Sequence, residues 1–178
     1  MTRNKLMDTL KSQLLTWAAV LLAALLLVAA SRTAAQDMRL VGEASLRVLF
    51  WDIYLSRLFT EDGSYQRYQR PLRLEIEYQR DIKADALVER TGTEWEAQKL
   101  EHARQVEWLN QLRTLWPDVK QGDKLALDLG PDNRSYFLLN GEPLGEISDP
   151  AFGQYFLDIW LSPRTTRPEL RTALIGSP

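Results

Sequence analysis

Charged residues that could act on a ligand lie within a strongly apolar stretch. From Leu46 to Leu55, eight of ten residues are apolar, and the two charged ones are Arg47 and Asp52. This density predicts a strand covered on both faces, where an unpaired charge is costly. Leu49 and Trp51 share strand parity with Arg47, so one face would combine apolar walls with a fixed positive charge, as an apolar carboxylate requires. The alternative is that Arg47 pairs with an acidic neighbour at the rim of the sheet.

Other kinds of chemistry have little support in the sequence. His102 is the single histidine and lies between Glu101 and Ala103 in a charged segment, where a solvated or capping role is expected. The chain has no cysteine, its carboxylates are scattered, and the Gly141–Gly145 segment is typical of a hairpin rather than a phosphate loop. We therefore predict no catalytic residue, no metal site and no cofactor.

The N-terminal 35 residues have the pattern of an export signal. A polar, net basic start precedes residues 14–30, which carry no charge, and small residues follow around Ala35. This pattern predicts a signal peptide cleaved near Ala35. An uncleaved membrane anchor remains open, because about 17 apolar residues is the lower limit for spanning a bilayer. Either alternative predicts a periplasmic or otherwise exported protein, with the membrane as a partner only through an uncleaved leader.

Residues 36–178 are expected to form a single domain with an acidic surface. They contain 18 basic and 23 acidic side chains, a net charge of −5, and no basic cluster. Nucleic acid is therefore not expected as a partner. Five tryptophans fall in this region, and aromatic residues on predicted elements usually belong to a core. Alternatively, they could line a large apolar cavity.

The order of predicted elements indicates an α+β fold. Residues 72–79 alternate apolar and polar side chains as a half-buried antiparallel strand does, and Asn140-Gly141 is a strong hairpin signal. The remaining predictions are two strands over 40–59 with a kink or bulge near Ser45 or Arg47, helices within 81–98 and 99–116, a strand over 123–130, a helix with Asp149 as N-cap, and a short helix after Pro168. Together they describe a mainly antiparallel sheet with helices packed against it.

Three segments in this order resemble the chalcone isomerase-like family, in its short bacterial exported branch. They are VGEASLRVLFWDIYLSRLF, LEIEYQRDIKADALVERTGTEW and YFLLNGEPLGEISDPAFGQYFLDIWLSPRT, and the resemblance covers roughly residues 38–175. It implies an open-faced β-sandwich with helices on one side of the sheet and a ligand cleft between them.

The resemblance also implies that the ring-closing isomerase chemistry of the plant enzymes is not retained. Leu49 falls on the family's threonine position, Lys83 on its tyrosine and Arg90 on its asparagine, while the arginine has no clean match, although Arg39 and Arg47 are near. Leu49 cannot form a side-chain hydrogen bond, and Lys83 has no phenol. Non-catalytic members of the family hold a fatty-acid carboxylate with arginine and tyrosine.

The function that we predict is binding of a small apolar or amphipathic carboxylate, such as a fatty acid, by a non-catalytic exported domain. The candidate ligand-binding residues are Arg47, Leu49, Trp51, Lys83 and Arg90. One alternative is an intramolecular lyase or isomerase with a relocated site, for which Lys83 and Tyr78 are the available titratable residues. The other is a structural or protein-interaction module of the cell envelope with a filled cleft.

Overall fold

The computed structural model describes residues 38–176, which form six strands and four helices. The strands are β1 (Arg39–Val48), β2 (Trp51–Thr60), β3 (Leu72–Tyr78), β4 (Lys124–Leu129), β5 (Ser135–Leu139) and β6 (Glu142–Ile147). The helices are α1 (Ala84–Ala97), α2 (Gln105–Leu115), α3 (Phe152–Leu161) and α4 (Pro168–Ile175). The predicted signal peptide or anchor lies outside the described residues. Within residues 38–176, no helix combines the length and the apolar character needed to cross a membrane.

The sheet is antiparallel throughout, and its strands follow one another in chain order. Burial alternates along β3 and so distinguishes the two faces of the sheet. Its buried residues are Leu72, Leu74, Ile76 and Tyr78, and the residues between them are partly exposed. On the outer face, the Arg57 guanidinium lies 2.9 Å from Glu77 and 3.3 Å from Glu75. One face therefore belongs to the core with the helices, and the other is a solvated network of charges, which confirms the predicted α+β open-faced sandwich.

The two strands predicted over residues 40–59 are present, but the stretch Leu46–Leu55 is not one buried strand. The chain turns at Leu49 and Phe50, with Leu49 in the left-handed region at φ 55°. A register shift between Leu46 and Arg47 agrees with the predicted bulge. The apolar density arises because this stretch combines two cleft-facing strand ends with an exposed turn, so the interpretation as a covered strand was wrong.

The N-terminus of α3 is organised by a buried aspartate, as the sequence suggested. Asp149 Oδ1 accepts a hydrogen bond from the Ala151 N–H at 3.0 Å, and Oδ2 accepts one from the indole N–H of Trp108 at 2.6 Å. Arg104 lies 2.5 Å from the same carboxylate. Asp149 therefore links the start of α3 to α2, although Ala151 is the residue in the N-cap position.

Helix α4 packs closely on β1 because Gly42 has no side chain. A Cβ atom at Gly42 would lie 2.3 Å from the carbonyl oxygen of Ala173 and 2.7 Å from that of Leu174. Backbone atoms cannot move out of the way as a flexible side chain can, so only glycine allows this approach. The contact fixes the C-terminal helix against the first strand.

Aromatic rings fill the core between the sheet and the helices. Trp95 and Trp108 meet edge to face at 5.9 Å, and Trp116 packs against Phe137 and Phe156 at 5.4 and 5.8 Å. Trp95, Trp108, Trp116 and Trp160 are all buried, which confirms a core role for most of the tryptophans, whereas Trp51 is exposed.

Candidate ligand-binding site

An open cleft of about 420 Å³ lies between the sheet and helices α1 and α3. Its walls are mostly aliphatic and aromatic, and this volume is typical of small-molecule sites. The apolar lining includes Leu46, Ile53, Ile76, Leu87, Leu125, Phe156 and Ile159. The interior is therefore not fully packed, and it offers a ligand a cavity with mostly apolar walls.

Two tyrosines face each other on the sheet side of this cleft. Tyr54 of β2 and Tyr78 of β3 are direct partners in the antiparallel register, and their rings meet edge to face at 6.4 Å. The Tyr54 oxygen accepts a hydrogen bond from the indole N–H of Trp160 at 2.9 Å. Among residues 38–176, no group accepts the phenolic proton of either tyrosine. Both hydroxyls can therefore donate to a bound molecule.

Burial keeps these phenols in their neutral form. It raises the pKa of Tyr54 to about 12; the hydrogen bond from Trp160 opposes this shift, and the nearby Glu94 adds a smaller upward contribution. Burial likewise raises the pKa of Tyr78 above its ordinary value, with a smaller contribution from Tyr54. At neutral pH both side chains are hydrogen-bond donors rather than bases.

Charged and hydroxyl groups gather at the opening of the cleft. Glu94 is buried on α1 and is held by Arg90, one helical turn earlier, and by the Thr166 hydroxyl at 2.7 Å. Arg167 lines the cleft beside Thr166. Within the described part of the chain, no carboxylate lies within 4.0 Å of the Arg167 guanidinium. Two arginines and one glutamate leave one positive charge uncompensated at this opening.

Local structure explains how these residues meet. Arg90 and Glu94 stand on one face of α1 because side chains four positions apart are neighbours on a helix. Thr166 and Arg167 come immediately before α4, whose first position is Pro168. Proline suits the first turn of a helix and biases the residue before it to extended backbone. The segment before α4 is thereby directed across the opening towards α1.

Of the five residues predicted for ligand binding, the structure places Arg90 in the cleft and the other four outside its lining. Arg47, Leu49 and Trp51 lie at or next to the exposed β1–β2 turn. Because the chain reverses there, they do not share a strand face. The Arg47 guanidinium pairs with Asp52 at 2.8 Å, which is the alternative left open by the sequence.

Lys83 also lies away from the cleft, at the start of α1. Its ammonium group is 2.6 Å from Asp118, and its side chain is 80% exposed. The five residues therefore do not form one site, and a role in ligand binding for those outside the cleft stays a prediction.

Sequence reasoning missed Tyr54, Glu94, Thr166 and Arg167. They come from β2, α1 and the segment before α4, so no spacing in the sequence relates them. The available signal was strand parity: Tyr54 and Tyr78 lie on the inner faces of two neighbouring strands. Arg167 has no comparable signal.

The remaining candidates for chemistry take structural positions. His102 stacks on Trp108 with ring centroids 4.4 Å apart, and its Nδ1 accepts the Arg104 N–H at 3.2 Å. In residues 38–176, no group of three side chains has the arrangement of a metal site. The chemically distinctive part of the described structure is therefore the cleft.

Comparison with known proteins agrees with this architecture. A fatty-acid binding protein of Arabidopsis thaliana superposes with a TM-score of 0.56 at 12% identity, over 79% of this chain and 87% of that one. This likeness concerns the fold. An uncharacterized protein of Haemophilus influenzae is 35% identical over 136 residues, which is 76% of this chain and 67% of that protein. The sequence profile described as chalcone isomerase-like matches residues 22–176. The chain therefore belongs to the chalcone isomerase-like family.

Proposed function

We propose that this protein binds a long-chain monocarboxylic acid, such as a fatty acid, in the cleft between the sheet and helices α1 and α3. The observation that carries the proposal is an apolar cavity that opens beside an arginine with no carboxylate partner among residues 38–176. The hydrocarbon chain would lie along the aliphatic and aromatic walls. The carboxylate would bind Arg167, with Arg90 beside it.

The balance of charge at the opening supports an anionic head group. The guanidinium of Arg90 is already paired with Glu94, so a bound carboxylate would pair mainly with Arg167. A guanidinium can donate two parallel hydrogen bonds to one carboxylate, which favours this head group over a neutral one. Glu94 would act as a positioning residue, because it holds both Arg90 and Thr166 at the cleft opening.

The two tyrosines supply further hydrogen-bond donors inside the cleft. A ligand oxygen that reached Tyr54 or Tyr78 would receive a phenolic proton that has no acceptor in the described part of the free protein. A buried donor without a partner is unfavourable, and a ligand that satisfies it gains affinity.

The name of the Arabidopsis thaliana relative in fold, a fatty-acid binding protein, is consistent with this ligand class. A shared fold at 12% identity does not imply a shared ligand. The proposal therefore rests on the residues that line the cleft of this chain.

We propose that binding occurs without catalysis. Lys83 is paired with Asp118 outside the cleft, and both tyrosines in the cleft have raised pKa values. A neutral phenol with a raised pKa is a poor general base at pH 7. The groups that line the cleft thus suit holding a ligand better than transforming it.

We also propose that the protein acts outside the cytoplasm. The support is the pattern of residues 1–35: a basic start, an uncharged apolar segment and small residues before a polar boundary.

Displacement of a fluorescent fatty acid by matched competitors tests the binding proposal. We expect palmitic acid to compete more strongly than hexadecanol, by about tenfold or more, because a hydrogen bond to a charged group contributes roughly 1.5–3 kcal/mol. Equal competition by the two compounds would show that the carboxylate does not contribute to binding. Absence of any uptake of the fluorescent acid would contradict the proposed function itself.

A further inference from the structure

The β1–β2 turn exposes an unbroken run of large apolar side chains. Leu49, Phe50 and Trp51 are 83%, 95% and 66% exposed, and Val48 before them is 42% exposed. We call residues 48–51 the apolar tip. Single exposed apolar residues are common on proteins, but a consecutive group of this size indicates an interaction site.

The apolar tip protrudes from the sheet. Strand β3 ends at Tyr78, which pairs with Tyr54, and the Gln79 N–H still donates to the Ile53 carbonyl at 2.9 Å. Beyond Ile53, the two strands of this hairpin pair only with each other within the sheet. The tip is therefore a narrow convex point rather than a flat surface or a groove.

Positive charge borders the tip. The Arg80 guanidinium lies 5.8 Å from the Trp51 ring centroid, in cation–π geometry. Arg47 and Asp52 pair at 2.8 Å and neutralise one another. Within residues 38–176, Arg80 has no carboxylate within 4.0 Å, and the adjacent Asp81 is paired with Lys120 at 2.9 Å. The rim of the tip therefore carries one uncompensated positive charge.

We propose that the apolar tip inserts into the interface of an anionic phospholipid bilayer. Leucine and phenylalanine would enter the boundary with the acyl chains, and Trp51 would lie at the head-group level, where its amphipathic ring is favoured. Arg80 would meet the lipid phosphates. An apolar point flanked by a cation has the charge and polarity of a membrane-surface element.

A protein partner fits the shape of the tip less well. Stable protein interfaces involve roughly 20–30 residues a side, many more than this four-residue point presents. A bilayer interface, in contrast, can surround a protruding point on all sides. The backbone supports the same reading, because the left-handed conformation of Leu49 would suit glycine or asparagine better. Turn geometry therefore does not explain the leucine.

Membrane insertion would place one part of the cleft wall near lipid. Val48 of the tip and Leu46, two residues before it, also line the cleft. A lipid-derived acid could then pass between bilayer and cleft with little exposure to water. The insertion itself does not depend on the proposed ligand.

A single spin label on the full-length chain tests this proposal. The chain has no cysteine, so Phe50→Cys can be labelled at one position without other changes. Glu61→Cys is the matched control, since Glu61 is exposed immediately after β2, at its opposite end. The protein is reconstituted with vesicles of phosphatidylglycerol and phosphatidylcholine in equal parts, and label accessibility to oxygen and to a water-soluble nickel complex is compared. This local readout is needed because residues 14–30 can hold the whole chain on a vesicle.

We expect the label at position 50 to gain oxygen accessibility and lose nickel accessibility, while the label at position 61 stays aqueous. Trp51→Ser in the Phe50→Cys background should shift the label back towards water, as should vesicles of phosphatidylcholine alone. A label at position 50 that stays aqueous on the anionic vesicles would overturn the proposal. So would a label that becomes shielded without lipid as protein concentration rises, because the tip would then be a contact between copies.

Discussion

Arg167 and Glu94 set the electrostatics of the cleft opening. Glu94 binds both Arg90 and the Thr166 hydroxyl, so its negative charge is used within the protein. Arg167 contributes a guanidinium that no carboxylate of the described residues neutralises. The preference for an anionic ligand therefore rests on this arginine more than on Arg90.

Arg167→Gln should weaken the binding of palmitic acid. The expected loss is about 1.5–3 kcal/mol, the range for a hydrogen bond to a charged group, while the binding of hexadecanol should change little. Titration calorimetry or fluorescence displacement measures both ligands on each variant.

Arg47→Ala is the informative control for this change. Arg47 is one of the candidate cations predicted from the sequence, but its guanidinium pairs with Asp52 outside the cleft. We expect its replacement to leave affinity unchanged. A large loss of affinity in Arg47→Ala, together with no loss in Arg167→Gln, would mean that the ligand carboxylate binds at the β1–β2 hairpin.

Asp158 is predicted to make stability depend on pH. This side chain is buried on α3, and burial raises its pKa, while hydrogen bonding from Gln154 opposes the shift. A carboxyl group with a higher pKa when folded binds more protons in the folded state, so its contribution to stability falls as pH rises through the two pKa values. Asp158→Asn should therefore increase the melting temperature at pH 7.

The same substitution should have a much smaller effect near pH 3, where the carboxyl group is protonated in both states. Thermal unfolding followed by circular dichroism at the two pH values measures the difference. A variant that is less stable at pH 7 would show that the hydrogen bond from Gln154 and the nearby Arg67 outweigh the burial of the charge.

At the level of elements, helix α1 forms one side of the cleft opening and can be used to block it. Ala86 lines the cleft but is exposed, so a larger side chain there can extend into the cavity without displacing the core. Ala86→Trp should abolish fatty-acid uptake and change the free energy of unfolding by no more than about 0.5 kcal/mol, as for other surface changes.

Asp85→Trp provides the matched control on the same helix. Asp85 is exposed and does not line the cleft, so uptake of the fluorescent acid should persist. Urea denaturation checks that both variants remain folded. Persistent uptake by Ala86→Trp would mean that the acid binds elsewhere.

Elements with regular patterns could be predicted from the sequence. The alternation of β3, the Asn140-Gly141 turn between β5 and β6, and the start of α4 at Pro168 each reflect a local rule. The β1–β2 turn could not be found in this way, because it contains no glycine, proline or asparagine. A dense run of apolar residues usually indicates burial, but here part of the run forms the exposed apolar tip.

The candidate site was less predictable than the fold. Arg90 was placed in it through the family resemblance, whereas Tyr54, Glu94 and Arg167 were not identified. These three residues lie 40 to 113 positions apart in the chain but converge because β2, α1 and the segment before α4 meet at one opening. Such convergence is a property of tertiary structure, and residue spacing does not contain it.

At the scale of the whole molecule, the open-faced architecture gives the two faces of the sheet different roles. The outer face of the sheet is solvated and stabilised by pairs such as Arg73 and Asp128. The inner face builds a tight aromatic core in one region and leaves a cleft beside it. A fold of this kind can change its cleft residues while the core keeps its packing.

Native mass spectrometry of the full-length protein, purified in mild detergent from the cells that make it, tests the central claim most directly. Bound molecules are then extracted and identified. The account predicts one long-chain carboxylic acid per protein in the wild type and its loss in Ala86→Trp. A protein that carries no acid, and that takes up none when palmitic acid is added, would contradict the claim.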